Sequence, residues 1–115
     1  MGDRLPGVRA VLRHDGRYLL VRHNNCLPEN TGKWGTPGGH IEAGDADPVE
    51  ALRREMREEF NTEIEVLGLV GVYEYRSREH MVFLATPSST DFVTDPAEIL
   101  DYAWLTAAEV AEWAA

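Results

Sequence analysis

The chain has 115 residues, of which 43% are apolar and 27% charged, a composition typical of one folded domain. Its formal net charge is −9, and the whole excess lies in residues 48–115, since residues 1–47 carry equal numbers of acidic and basic side chains. So acidic a chain disfavours nucleic-acid polymers and anionic membranes as partners, because both attract basic surfaces. The first residues contain no long apolar run, and the single cysteine, Cys26, excludes an internal disulfide. We therefore expect a cytoplasmic protein.

The first third of the chain predicts a hairpin followed by irregular backbone. Residues 7–13 and 17–23 have the composition of strands, and Asp15-Gly16 between them is a strong hairpin-turn signal. Residues 24–34 are rich in turn-forming residues and predict a loop. Pro37-Gly38-Gly39 then marks a further break in regular backbone.

One helix is clearly predicted over residues 48–60. Asp47 is a suitable N-cap, Pro48 suits the first helical position, and Glu50 stands where a capping box requires it. Asn61 tolerates a left-handed backbone conformation and is the predicted stop.

The remainder of the chain predicts strands over 64–75, 80–86 and 102–105, a loop over 87–97, and a short final helix capped by Thr106. Strands and helices follow each other without a regular alternation, which predicts a mixed sheet with helices packed on it. We find neither a repeat nor a linker and expect a single domain over residues 1–115.

The predicted helix has an apolar face and an acidic face. The expected buried stripe consists of Val49, Leu52, Met56 and Phe60. Glu55, Glu58 and Glu59 gather on another sector, although like charges at these spacings destabilise a helix by a few tenths of a kcal/mol per pair. The cluster is therefore either a solvated helix face or a site for a divalent cation such as Mg²⁺ or Mn²⁺.

Residues 38–62 favour the second interpretation, because they resemble the signature of the Nudix hydrolase family in its small, MutT-like form. The family pattern is Gly, five residues, Glu, seven residues, Arg-Glu, an apolar residue, any residue, Glu-Glu, any residue, Gly and an apolar residue. The chain has Gly39, five residues, Asp45, eight residues, Arg54-Glu55, Met56, Arg57, Glu58-Glu59, Phe60, Asn61 and Thr62. The run over residues 34–44 and the downstream Glu98 with Trp104-Leu105 are also typical of the family.

Four departures from the signature stand out. Asp45 replaces the first Glu, and one extra residue separates it from Arg54, most simply within residues 46–48. Asn61 replaces the closing Gly, and Thr62 replaces the closing apolar residue. Because the insertion precedes the helix, the helix keeps its internal register, and we expect the loop geometry to change more than the metal site.

The resemblance implies an α/β (α+β) fold, an α/β/α sandwich with a mixed β-sheet and a catalytic loop–helix–loop. It also implies hydrolysis of a diphosphate bond in a nucleoside diphosphate linked to another group, with Mg²⁺ or Mn²⁺ as cofactor. By the family pattern Glu55 and Glu59 are the principal metal ligands, and Glu58 binds directly or through water. A carbonyl of Gly38 or Gly39 completes the implied set.

Two further roles follow from the resemblance, each with an alternative. Arg54 is expected to orient the metal-binding carboxylates, and the alternative is a plain helix ion pair with Glu50. The expected general base is Glu98, on the loop after the central strands, and the alternative is Glu58.

Substrate phosphates require cations, and the neutral first part of the chain offers Arg9, Arg22 and Lys33, of which Arg22 is our first choice. Trp34 and Tyr75 could stack on a base, although Trp34 also suits a core position. The short chain favours a small-molecule substrate of the nucleoside triphosphate type, with ADP-ribose or a nucleotide sugar as the alternative. A nucleotide-binding sensor without activity is the alternative of another class. The protein is expected to be a monomer or a homodimer.

Overall fold

The structure, a computed structural model, describes residues 5–24, 33–75 and 77–114, apart from the side chains of Tyr75 and Ala114. In chain order the described residues form β1 (Gly7–His14), β2 (Arg17–His23), β3 (Trp34–Gly35), β4 (Gly38–His40), α1 (Pro48–Phe60), β5 (Ile64–Tyr75), β6 (Arg78–Pro87), β7 (Ile99–Leu105) and α2 (Ala107–Ala114).

The predicted elements are confirmed, with small shifts at some ends. The bounds of β2, α1 and β5 are as predicted, whereas β6 begins at residue 78 rather than 80 and β7 at residue 99 rather than 102. The prediction of a loop through residue 34 is wrong at its end, because Trp34 pairs with Arg22 of β2. Gly39 likewise lies in a strand, since β4 pairs with Val8 of β1. Residues 25–32, with Cys26 among them, lie outside the described part of the chain.

The strands form one mixed sheet, as predicted. Its order is β3-β2-β1-β6-β5, with β4 paired to β1 and β7 paired to β2. β1 and β6 run parallel, and the other pairs are antiparallel. The central strand β1 thus contacts β2 near its end and β4 near its start, which places the residues before α1 beside the middle of the sheet.

Local capping explains where both helices begin. The side chain of Asp47 accepts a 2.9 Å hydrogen bond from the backbone N–H of Glu50, as predicted, while the Glu50 carboxylate turns to Arg53. At α2 the box is reciprocal: Glu109 accepts a 2.8 Å bond from the Thr106 backbone N–H and its own N–H donates to the Thr106 hydroxyl.

The C-terminus of α1 is also capped as the sequence predicts. Asn61 adopts a left-handed conformation, with φ 52° and ψ 42°, and its N–H donates to the carbonyl of Arg57. A residue of this type at C′ satisfies a carbonyl that the helix itself leaves open. The substitution of Asn for the family's closing Gly therefore preserves the turn after the helix.

The two helices pack on opposite sides of the sheet. Val21 and Arg22 are neighbours on β2, so their side chains point to opposite faces. Tyr102, paired with Val21, packs edge-on against Phe60 of α1. Trp34, the partner of Arg22, packs against Trp113 of α2 with the ring centres 4.7 Å apart. This arrangement is the predicted α/β/α sandwich.

The core lies mainly between the sheet and α1. Its fully buried side chains include Val8, Ala10, Leu12, Leu19, Val21, Ala51, Leu52, Met56 and Phe60. Of the predicted apolar stripe of α1, Val49 is only partly buried, and Ala51 is buried in addition. Neither helix among the described residues combines the length and apolar character needed to cross a membrane.

Candidate functional site

Gly38 and Gly39 bring the backbone of β4 into close contact with both β1 and α1. Gly38 has φ 148°, a conformation rare for residues with a side chain, and a Cβ there would overlap the backbone of Val8. A Cβ on Gly39 would instead overlap the carboxylate of Glu55. The first glycine is therefore required by the fold, and the second leaves space for an acidic side chain.

Glu55 and Glu59 form a buried pair of carboxyl groups beneath this strand. The Glu55 side chain is 13% exposed, and Glu59 is buried. A hydrogen bond between the two carboxyl groups helps to raise the pKa of Glu59, while its Oε1 is buried and has no hydrogen-bond partner among the described residues. The interpretation of the cluster as a solvated helix face is wrong for Glu59, whereas Glu58 is more than half exposed.

Burial and mutual repulsion disturb the ionisation of this pair. Burial raises the pKa of Glu55, although the neighbouring Arg54 opposes the shift. Burial, and secondly the Glu55 carboxylate, raise the pKa of Glu59 to about 9. A buried carboxyl group held in its protonated form beside a second carboxylate is a feature that clusters at functional sites.

Arg54 connects the acidic cluster to the loop before α1. Its Nη1 donates to Glu55 at 3.0 Å and to Glu58 at 2.8 Å. Its Nε and Nη2 form a two-point contact with Asp45 at 2.9 and 3.1 Å. The predicted alternative, an ion pair between Arg54 and Glu50, does not form. The Glu50 carboxylate contacts Arg53 instead.

Glu98 approaches the cluster because two elements hold the loop over residues 88–98. The backbone N–H of Asp95 donates to the carbonyl of Glu59 at 3.0 Å. Asn24, just after β2, donates from its backbone to the Glu98 carbonyl and from its side chain to Ala97, both at 2.9 Å. The exposed Glu98 carboxylate lies close enough for its charge to contribute to the raised pKa of Glu59.

Arg9 and His23 meet at one backbone carbonyl beside the cluster. Arg9 Nη1 donates to the carbonyl of Thr36 at 3.0 Å, and His23 Nε2 donates to the same oxygen at 3.3 Å. Burial and the charge of Arg9 lower the pKa of His23, and Arg9 in turn opposes the raised pKa of Glu59. The charge of Arg9 therefore acts on the acidic cluster.

The NUDIX domain matches residues 3–115 of this chain. The chain belongs to the Nudix family. It is 36% identical over 105 residues to a MutT-like protein of Streptomyces ambofaciens, a match that covers 90% of this chain and 64% of that protein. It is 30% identical over 113 residues to the nucleoside triphosphatase NudI of Enterobacter sp. (strain 638), covering 86% of this chain and 79% of that protein.

A solved structure described as UDP-X diphosphatase is also similar to this Nudix chain. The TM-score is 0.74 at 26% sequence identity, and the match covers 92% of this chain and 52% of the other. The chain thus spans less than two thirds of this protein and of the Streptomyces relative. The family and the fold are shared, while the activities named for these relatives belong to them.

The donors around Glu59 suit the cation that Nudix proteins generally need. The side-chain donors are carboxylate oxygens, which Mg²⁺ and Mn²⁺ prefer. Glu59 Oε1 is a buried oxygen without a hydrogen-bond partner among the described residues, and the bare Cα of Gly39 makes room for the Glu55 carboxylate. Within the described ranges no three His, Cys, Asp or Glu side chains are already gathered as a metal site. In this conformation Arg54 contacts Oε1 of both Glu55 and Glu58, which leaves the second oxygen of each carboxylate clear of Arg54.

The other residues predicted to bind substrate differ in burial and in their contacts. Arg22 is half-buried, and its Nε has no hydrogen-bond partner among the described residues. Lys33 is exposed, and the side chain of Tyr75 lies outside the described residues. Trp34 packs edge-on against Trp113 and so fastens α2 to the sheet.

His23 shares the Thr36 carbonyl with Arg9, although little in the sequence singles it out. It stands alone, without a second histidine or an acidic partner at a recognisable spacing. Its place beside Arg9 depends on the backbone of Thr36, which lies 13 residues further along the chain. The only local signal is its position at the end of β2, where that strand leads into residues 24–32.

Proposed function

We propose that this Nudix protein is a divalent-cation-dependent hydrolase that cleaves a diphosphate bond in a nucleoside triphosphate or a related nucleoside diphosphate derivative. The observation that carries the proposal is the pair Glu55–Glu59, buried against Gly39 and within range of the charge of Arg9. The pair supplies oxygen donors for a hard cation, and Arg9 supplies positive charge for a phosphate. The name of the similar NudI protein supports a nucleoside triphosphate as substrate.

In this proposal Glu55 and Glu59 bind the cation, Glu58 binds it directly or through water, and a carbonyl of Gly38 or Gly39 completes the set. When bound, the divalent cation supplies neutralisation of the diphosphate charge and a lower pKa for an attacking water. The protein must hold these carboxylates in place before substrate arrives.

The remaining proposed roles concern protons and phosphates. Arg54 holds Glu55 and Glu58 in orientation through its hydrogen bonds. Glu98 takes the proton of the attacking water, with Glu58 as the alternative base. Arg9 binds a phosphate group of the substrate.

Fewer observations support a substrate-binding role for the other predicted residues. Arg22, Lys33, Trp34 and Tyr75 are proposed as further contacts, and of these only Arg22 has a buried donor that the described residues leave open. A cytoplasmic location and a monomeric or homodimeric state belong to the same proposal.

A second substrate class is favoured by the similarity to UDP-X diphosphatase. A nucleotide sugar or ADP-ribose also presents a diphosphate to the carboxylates. The two substrate classes therefore differ only in the group that is attached to this diphosphate. A sensor that binds nucleotide without hydrolysis is the third candidate. It is disfavoured because a buried carboxylate pair is costly to maintain where no cation is needed.

Incubation with a panel of nucleoside triphosphates, nucleotide sugars and ADP-ribose in Mg²⁺ or Mn²⁺ tests the proposal. We expect release of phosphate, pyrophosphate or monophosphate from the triphosphates, and its loss on addition of EDTA. Because the acidic cluster repels an anion, EDTA should also weaken binding of a non-hydrolysable triphosphate by more than about tenfold. Binding without any product supports the sensor instead. Hydrolysis that is insensitive to EDTA contradicts the proposed cation.

Replacing Gly39 with Ala is expected to weaken Mn²⁺ binding by about 10–100-fold, the range for residues that orient metal ligands. The three atoms nearest to the added methyl all belong to the Glu55 carboxylate, which must move, so we expect a larger effect on cation binding than on the melting temperature. Gly44→Ala is the matched control, since a Cβ there has no neighbour within 4 Å. Calorimetric titration with Mn²⁺ measures the difference, and equal affinities for the two variants would remove Glu55 from the proposed ligands.

A further inference from the structure

Two departures from the Nudix signature lie next to each other in the loop between β4 and α1. Asp45 is shorter than the usual Glu by one methylene, roughly 1.5 Å. The extra residue lengthens the backbone between this position and Arg54. The shorter side chain moves the carboxylate away from Arg54. The extra residue gives the backbone the length needed to bring the carboxylate back towards Arg54.

Asp45 uses both carboxylate oxygens in a nearly closed space. Its side chain is 8% exposed, and it accepts two hydrogen bonds from Arg54 at 2.9 and 3.1 Å. Oδ2 also accepts a 2.8 Å bond from the backbone N–H of Glu42, whose carbonyl accepts a 3.0 Å bond from the N–H of Asp45. The carboxylate therefore closes a turn and binds Arg54 at the same time.

The other donors of Arg54 reach the acidic cluster and the strand that lies over it. Nη1 contacts Glu55 and Glu58, and Nη2 also donates to the carbonyl of His40 at 3.0 Å. A change in the position of Asp45 would thus move Arg54 relative to two carboxylates. Ala46, which joins Asp45 to the N-cap Asp47, is exposed.

We propose that Asp45 and the extra residue, taken as Ala46, are one compensated change that keeps the two-point contact with Arg54. Asp45 is then a positioning residue, which acts on the carboxylate cluster through Arg54. The compensation itself concerns the fold alone, and its effect on the cation rests on the proposed function. It also explains why a signature altered at two places can retain its acidic cluster.

Reversing either change alone should disturb the contact with Arg54, and the two reversals should displace the carboxylate in opposite directions. Glu at position 45 carries an additional methylene into a nearly closed space, so it cannot keep both the Arg54 contact and the Glu42 N–H. Deletion of Ala46 draws Asp45 towards the N-cap of α1 and leaves its short side chain unable to reach. Together the two reversals restore the usual length and the usual residue.

Four proteins test the coupling: the natural chain, Asp45→Glu, the Ala46 deletion, and the combination of both. The Mn²⁺ dissociation constant is measured by electron paramagnetic resonance, and urea unfolding is followed in EDTA. We expect each single change to weaken Mn²⁺ binding by about 10–100-fold. The combination should return to within about threefold of the natural chain, with recovery of the urea midpoint. Asp91→Glu, on the exposed loop before β7, is the matched control and should leave both quantities unchanged.

The outcomes separate this inference from the proposed function. The compensation is overturned if the combined variant binds Mn²⁺ as weakly as the product of the two single effects predicts. It is also overturned if the single changes have no effect. If the deletion alone does not fold, the combination decides: recovery of the natural urea midpoint supports the inference, and failure to fold overturns it. Coupling in urea without Mn²⁺ binding by any of the proteins supports the compensation and contradicts the proposed function.

Discussion

Glu59→Gln is expected to lower kcat by about 10³-fold, because a metal-held transition state is stabilised by several kcal/mol and about 4 kcal/mol corresponds to this factor. The amide keeps the shape of the side chain but cannot carry the negative charge that a divalent cation requires. Glu59 is buried, and its Oε1 has no hydrogen-bond partner among the described residues, so the substitution removes a carboxylate oxygen that those residues leave open. Steady-state hydrolysis of the preferred nucleotide in saturating Mg²⁺ measures the effect.

Glu112→Gln supplies the matched control, since Glu112 is an exposed glutamate on the other helix. It should retain turnover within about twofold of the natural chain, as surface substitutions usually do. If both variants retain turnover, Glu59 is not a ligand of the catalytic cation.

Glu59→Gln should also change the pH dependence of stability, which can be measured without any enzymatic activity. Burial beside Glu55 raises the pKa of Glu59 from an ordinary 4.5 to about 9. In EDTA, between these two values, the unfolded chain has released this proton while the folded chain retains it. The free energy of unfolding therefore decreases as the pH rises through this window. Urea unfolding at pH 5.5, 7 and 8.5 should show this slope in the natural chain and a shallower one in Glu59→Gln. Equal slopes would mean that Glu59 is not the buried acid.

The predictable part of the fold consists of features whose causes are local. α1 begins directly after Asp47 and ends directly before Asn61, because a capping carboxylate and a residue tolerant of positive φ stand at those positions. The turn between β1 and β2 likewise depends on Asp15-Gly16, both of which have positive φ. Such signals act over a few residues, so the sequence alone carries them.

Burial of Glu59 was not predictable, because it depends on contacts far along the chain. On a helical wheel Glu59 lies with Glu55 and Glu58, two acidic neighbours that remain in contact with Arg54. Its own backbone carbonyl is covered by the loop that carries Asp95. The wheel gives the direction of a side chain along one helix and contains no information about which loop packs over it.

The same limit applies to the partners of Arg54. The sequence spacing favours helix pairs at i and i+4, and one of these, with Glu58, does form at 2.8 Å. The two-point contact with Asp45 spans nine residues and a turn, so neither helical periodicity nor propensity predicts it. The family signature contains both positions, but we predicted no contact between them from the sequence, because a pattern of residue types and spacings does not state which side chains meet.

Glu98→Gln is expected to lower kcat by 10²–10³-fold, within the usual range for the loss of a general base, about 10²–10⁴. The change leaves the backbone carbonyl of residue 98 to accept the bond from Asn24, so the loop should keep its position. The amide cannot take a proton from water, and the effect should therefore appear in kcat while Mn²⁺ affinity stays within about threefold of the natural value. Single-turnover hydrolysis and Mn²⁺ titration of the same preparation measure the two quantities.

Glu58→Gln is the comparison that decides between the two candidate bases. Glu58 is exposed and bound to Arg54, whereas Glu98 lies on a loop fastened to both β2 and α1. A loss of less than about fivefold in Glu98→Gln, with a large loss in Glu58→Gln, would move the role to Glu58. The two results differ in mechanism as well as in residue. A base on α1 shares its helix with the proposed cation ligands, while a base on the loop can adjust its distance from the attacking water without disturbing them.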